Sequence, residues 1–206
     1  MAERYRTVLL FGPPGSGKGT QGKILGYVPG FRHFAAGDMF RGLDPNSDLG
    51  RTFRSYSSKG ELVPDDLTVK LWKQTVDNQA TSGMYKRELQ LLVLDGIPRS
   101  VAQTRLMSQL IDVLAVVHLV CRDRDALVQR LKRRALLENR HDDAREDVVR
   151  RRLDVYDAET RPVLECYPED LIHDIEAEGS PASVLARILA VLAPIQERTF
   201  PNALGG

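Results

Sequence analysis

Cysteine is scarce in this sequence of 206 residues. Cys121 and Cys166 lie far apart and lack the spacing that metal ligands need. Cys121 follows an apolar stretch and reads as core, and so few thiols fit a reducing cytoplasm. Long apolar runs are missing too. The longest, Val113–Cys121, contains His118 and falls far short of a membrane span. The first apolar run is too short for a signal peptide and ends in glycines. No membrane association is therefore expected. Charge of one sign is not in excess: 29 Lys and Arg face 28 Asp and Glu, a net +1. Attraction of the whole chain to nucleic acid is not expected. The four histidines, His33, His118, His141 and His173, form no spacing that suggests a metal site or a catalytic dyad, and no serine–histidine arrangement stands out. The D-x-x-G and N-K-x-D signatures of GTP-binding switches do not occur. Internal repeats and low-complexity segments are absent.

What is present begins at Val8–Gln21, VLLFGPPGSGKGTQ. An apolar run breaks on Gly12, and a glycine-rich turn leads to Lys18-Gly19-Thr20. This is the phosphate-loop pattern G-x-x-x-x-G-K-[ST], with Gly12, Gly17 and Lys18 in register and Gly19 inserted before Thr20. Backbone without Cβ lets successive N–H groups converge on a phosphate, and a following helix adds its positive end. Gly15, Ser16, Gly17, Lys18, Gly19 and Thr20 are the candidate phosphate-binding residues. Lys18 supplies a cation, and Thr20 offers a hydroxyl to Mg²⁺.

The hydrophobic fraction, 42%, suffices for a core. Strands are expected at 6–11, 31–36, 89–94, 113–120 and 171–175, and helices at 18–27, 64–79, 102–110, 124–136, 143–158 and 181–192. Short helices fill 37–58. The tail from Pro194 has little pattern and is expected to be loose. Alternating strands and helices imply a three-layer α/β/α fold with a five-stranded parallel sheet. Ligands in such sheets sit beyond the carboxyl ends of the strands. The polar clusters all fall there: the glycine loop after Phe11, Gly37-Asp38 after Ala36, Asp95 after Leu94 and Arg122 after Val120.

Asp95-Gly96-Ile97-Pro98-Arg99 places an acid where it could hold Mg²⁺, directly or through water. Pro98 stiffens the turn that aims Arg99. Arg41 lies one turn into the helix after Gly37-Asp38. Arg130 and Arg134, at i and i+4, share a helix face. Further on, Val148, Val149, Leu153 and Tyr156 form one stripe at roughly 100° per residue. Arg152 falls inside that stripe and needs an anionic partner or a wet cleft, whereas Arg150 and Arg151 face away. Residues 122–152 hold eleven Lys/Arg against seven Asp/Glu. That local excess suits a polyphosphate.

Together these segments resemble the adenylate kinases, within the nucleoside-monophosphate kinases. The motifs are GPPGSGKGTQ at 12–21, GDMFR at 37–41, GELVPDDL at 60–67, DGIPRSVAQ at 95–103, QRLKRR at 129–134, NRHDD at 139–143 and RLDVYDAETRPVL at 152–164. The resemblance implies a core at 1–36, 67–130 and 144–206, a helical insertion at 37–66 that binds the monophosphate, and a short lid at 131–143 without structural zinc. It implies reversible transfer from Mg·ATP to AMP, giving two ADP, by a cytoplasmic monomer that takes small nucleotides as partners. By matched position, Lys18, Arg99, Arg134, Arg140 and Arg152 are catalytic. Arg130 packs on the ATP base, and the backbone near Gly179 touches its adenine. Arg41, Gly96, Arg99, Arg140 and Arg152 serve the acceptor side. Ala36, Glu61, Leu62, Val63 and Gln103 surround the acceptor base, and Thr20 and Asp95 attend the metal.

Three departures stand out. Ala36 replaces the hydroxyl residue usual in adenylate kinases and is typical of pyrimidine-monophosphate kinases, so a UMP/CMP acceptor is the alternative. Gln103 favours AMP, because an amide reads a base edge by paired donor and acceptor whereas alanine reads nothing. Ile97 stands for the usual phenylalanine. One extra residue separates Asp143 from Arg152, so an ungapped count from Arg140 would choose Arg151.

Overall fold

The first apolar run forms strand β1 (Tyr5–Phe11) at the centre of the molecule. A computed structural model describes residues 4–138 and 145–200. Helix α1 (Lys18–Leu25) follows the glycine loop, then β2 (Phe31–Ala35) and the short helices α2 (Ala36–Arg41) and α3 (Asp48–Ser57). Helix α4 (Asp65–Thr81) leads to β3 (Leu91–Asp95), α5 (Val101–Met107) and β4 (Ile111–Val120). Helices α6 (Arg124–Glu138) and α7 (Glu146–Val155) come next. A widened π-helical turn, Tyr156–Thr160, continues α7 without a break into a 3₁₀ segment, Arg161–Cys166. Strand β5 (Ile172–Glu176) and helix α8 (Pro181–Thr199) complete the order.

The five strands are parallel in the order β2-β3-β1-β4-β5. The chain leaves β1 toward one edge and later crosses to the other, so the loop after β1 opens where the winding reverses. Ala35, Asp95 and Leu10 lie level across three strands. Phe11, His118 and Asp174 form the next row on the other side of β1.

Both faces of β1 are covered, as its unbroken apolar run requires. Leu9 and Phe11 join Trp72 of α4 and Met107 of α5 on one face. Val8 and Leu10 join Leu25 of α1 and Ile188 and Leu192 of α8 on the other. A separate small core of Leu127, Val128, Leu131, Val149 and Leu153 binds α6 to α7, with Cys121 packed beside it.

Two expectations change. Helix α6 runs on to Glu138, past the end expected at 136. Residues 139–144, with Arg140, His141, Asp142 and Asp143, lie outside the described residues. The tail from Pro194 is not loose as far as Phe200. Pro194 sits inside α8, because the apolar face Val184, Ile188, Leu192 and Ile195 continues past it. The Gln196 amide then donates to the Pro29 carbonyl at 2.9 Å. Phe200 is buried beneath the Arg6 guanidinium, 5.2 Å from its ring centre. No described helix is long and apolar enough to cross a membrane.

Candidate active site

The loop after β1 is glycine-rich because it is wedged between β4 and α6. Gly12 has φ 139°, and a Cβ there would stand 2.6 Å from the Leu119 carbonyl oxygen. Gly15 has φ 86°, and its Cβ would meet the Leu127 carbonyl oxygen at 2.9 Å. Larger residues would have to displace β4 or α6. Lys18 folds back over the loop, and its ammonium donates to the carbonyls of Gly12 at 2.6 Å and Pro13 at 3.0 Å. Loss of hydration lowers the Lys18 pKa to about 8, and the cations of Arg99, Arg134 and Arg152 push the same way against the Asp95 carboxylate. Sequence-distant Arg99, Arg134, Arg152 and Asp95 thus act on one ammonium. An anion bound among them would relieve the mutual repulsion.

The turn after β3 is held by its own groups. Arg99 Nε donates to the Gly96 carbonyl at 2.8 Å, and the Arg99 backbone N–H donates to Gln103 Oε1 at 2.7 Å. The Ile97–Pro98 peptide is cis, and Ile97 is buried in the core, a packing position. Gln103 is buried, and one lone pair of its amide oxygen is already taken by Arg99. Gln103 is therefore tied to the turn that carries Arg99, which the paired donor-and-acceptor expectation did not include. Arg41 pairs with Asp38 at 2.6 Å, one turn apart on α2.

Asp95 is nearly buried at the end of β3, with His33 Nε2 behind it at 3.8 Å, too long for a hydrogen bond. Among the described residues Ser16 Oγ is buried without a hydrogen-bond partner, while Thr20 is exposed. Among the described residues no three His, Cys, Asp or Glu gather to cage a metal. One carboxylate with hydroxyls nearby fits Mg²⁺, which keeps several waters and leans on substrate phosphates.

One cleft of about 940 Å³ joins these parts. It lies at the upper end of ligand-pocket sizes. Gly15, Ser16, Gly17, Lys18, Gly19, Thr20, Arg130, Arg134 and Gly179 line it, as do Ala36, Arg41, Glu61, Leu62, Val63, Asp95, Gly96, Arg99, Gln103 and Arg152. Arg140 lies outside the described residues. Arg152 is on the wall, whereas Arg151 is exposed. Arg150 is engaged on the outside by Glu146 at 2.9 Å and Asp125 at 3.6 Å.

Sequence reasoning missed Arg133, Leu137, Tyr156 and Thr160, which also line the cleft. The signal for the first two was available: 130, 133, 134 and 137 share one helical face. Tyr156 falls in the apolar stripe, but its hydroxyl meets His118 Nε2 at 3.2 Å, and His118 Nδ1 meets Asp174 at 2.8 Å. Sequence spacing cannot reveal that pair, because strand register brings it together.

Comparison with known proteins agrees with this geometry. The adenylate kinase family model matches residues 10–172. Adenylate kinase of Kocuria rhizophila is 37% identical over 191 residues, covering 90% of this chain and 97% of the relative. The enzyme of Thermus thermophilus is 36% identical over 193 residues, with 91% and 97% covered. That of Maricaulis maris is 35% identical over 192 residues, with 90% and 97% covered. With a phosphate loop, a cation-lined cleft and matches of this extent, the chain belongs to the adenylate kinase family and is a phosphotransferase.

Proposed function

We propose that the chain moves the γ-phosphoryl group of ATP reversibly to AMP, giving two ADP, by positioning and charge alone. The convergence of Lys18, Arg99, Arg134 and Arg152 in one cleft carries this reading. Lys18 and the loop N–H groups of residues 15–20 hold the ATP phosphates, with Arg130 and the Gly179 backbone toward its base. Arg41 and Arg99 grip the acceptor phosphate. Ala36, Glu61, Leu62, Val63 and Gln103 surround the acceptor base, beside Gly96. Arg134 and Arg152, with Arg140 from the lid side, neutralise charge on the group in transit. The acceptor oxygen attacks in line, so no protein nucleophile is needed.

Asp95 and Thr20 would hold Mg²⁺, Asp95 through water. Bound there, Mg²⁺ would supply positive charge against the outer phosphates. The chain's own part is to keep the cations fixed and water out, since water would otherwise take the phosphate. The cleft-lining residues of 37–66 and of 131–138 support the assignment of these segments to the acceptor and ATP sides. We extend the reading to adenine nucleotide balance by a monomer in the cytoplasm, without zinc.

The family matches favour AMP over the pyrimidine acceptor that Ala36 suggested. A coupled assay with ATP and AMP, UMP or CMP tests this. AMP is expected to be turned over fastest. Faster turnover of UMP or CMP would overturn the acceptor assignment, and no turnover of any monophosphate would overturn the reaction.

A further inference from the structure

The lid-side helix α7 carries Arg152 and ends in the π turn, Tyr156–Thr160, one helical turn later. Such widened turns recur at functional sites because they re-aim side chains. Here the turn is tied to the core at both ends. Thr160 Oγ1 donates to the Arg99 carbonyl at 2.8 Å. The Tyr156 hydroxyl reaches His118 Nε2, and among the described residues it has no other hydrogen-bond partner. Arg124, at the start of α6, adds ion pairs to Asp157, at 2.9 Å, and to Asp154 from outside.

His118 and Asp174 are opposite one another in the parallel register of β4 and β5, level with the last residue of β1. Register partners project from the same face of a sheet. His118 is mostly buried, with 15% of its side chain exposed, while Asp174 is open to solvent at 68%. Burial holds the Tyr156 phenol well above its ordinary range, so it stays a donor. Phenol donating to Nε2 and Nδ1–H donating to the carboxylate then satisfies all three groups.

We propose that His118 and Asp174 are positioning residues for phosphoryl transfer, acting through the Tyr156 hydroxyl to fix the end of α7 and so the direction of Arg152. None of the three supplies charge to the phosphates. Their effect is to remove a rocking freedom from the helix on which the cation rides. The inference rests on the reading above that Arg152 meets the transferring group.

Tyr156→Phe deletes the hydroxyl with little change of shape. His118→Leu removes the link from the other side, and His118→Gln keeps one acceptor and one donor. One hydrogen bond's worth of positioning corresponds to a loss of about fivefold in kcat. Tyr156→Phe and His118→Leu should each show that loss, with KM for ATP and AMP changed less than about twofold, because only transition-state contacts are affected. His118→Gln should recover most of it. In an Arg152→Lys background, Tyr156→Phe should have no further effect, since residues acting through one another are not additive. Melting temperatures measured alongside should stay close to wild type for Tyr156→Phe. Wild-type kcat in Tyr156→Phe, or the same fractional loss in the Arg152→Lys background, overturns the proposal while leaving the reaction intact. A wild-type chain without transfer activity overturns both readings.

Discussion

Lys18 is held in an environment that opposes its own charge. Its pKa is lowered from 10.5 to about 8 by burial and by the neighbouring arginines. Between those values the unfolded chain keeps a proton here that the folded chain has released. Stability of the ligand-free protein therefore rises with pH across that window, and below pH 8 the full cost of a desolvated ammonium is present. Lys18→Met removes the cost. It is expected to melt above the wild type at pH 7, to lose the pH-dependent gain toward pH 10, and to lose about 10²–10³-fold in turnover. Thermal scans at both pH values together with the coupled assay check this. A variant less stable at pH 7 would show that the loop carbonyls of Gly12 and Pro13 need the ammonium more than the arginines oppose it. The arginines on α7 give a second test at this scale. Arg152 faces the cleft and Arg151 does not. Arg152→Ala should cost about 10³-fold in kcat, by analogy with arginine fingers, and Arg151→Ala should stay within about twofold. The reverse order would restore the ungapped alignment. Arg152 was legible because a cation in an apolar stripe demands a reason. The tie between Gln103 Oε1 and the Arg99 N–H was not, because it depends on how the cis-proline turn folds back on α5.

The elements at the ends of strands were legible for a simple reason: apolar runs stop where glycine and charge begin, and parallel strands stop on the same side of the sheet. The π turn and the end of α8 were not legible. The π turn after α7 has no sequence signature apart from the helix that it continues. The tail from Pro194 has little pattern, so the sequence places the end of α8 at Leu192, and a proline inside a helix carries a local cost. Ile195, Gln196 and Phe200 outweigh that local cost by packing on the sheet face and on the loop before β2. A chain ending at Ala193 should accordingly lose the burial of one isoleucine and one phenylalanine, about 3 kcal/mol or more. Urea denaturation of the shortened chain measures it, and an unchanged midpoint would return the tail to a loose segment. The hairpin of α6 and α7 has its own small core, with Leu131 fully buried at its centre. Leu131→Ala should loosen the hairpin. Hydrogen exchange of α6 and α7 is then expected to quicken while β1 and β3 stay protected, because contiguous units open separately. Uniform quickening across the sheet would show that the hairpin is not a separate unit.

At the scale of the whole molecule, Gly60 is where the segment 37–66 meets α7. It is buried at φ 72° in the turn that follows α3. A Cβ there would stand 2.9 Å from the Val148 carbonyl oxygen and 3.1 Å from Arg152 Cγ, both on α7. The segment 37–66 and the helix that carries Arg152 therefore approach each other closely at a residue without a side chain. Phosphoryl transfer needs acceptor and donor phosphates within near-attack distance, and a small displacement from far away is enough to cost two orders of magnitude. Gly60→Ala wedges the 37–66 segment away from α7 and presses on the stem of Arg152. Its positive φ adds about 1–2 kcal/mol of local strain, which a melting curve registers on its own. The expected result is a fall of about tenfold or more in kcat/KM for AMP, with the dissociation constant of ATP alone changed less than about twofold. ATP binding is the discriminating measurement. If it weakens as much as the acceptor step, the alanine has displaced α7 itself, and the contact at Gly60 is a structural seam. If it holds while transfer slows, the insertion must seat against α7 for the two phosphates to meet, and closure of the acceptor side is coupled to the position of Arg152.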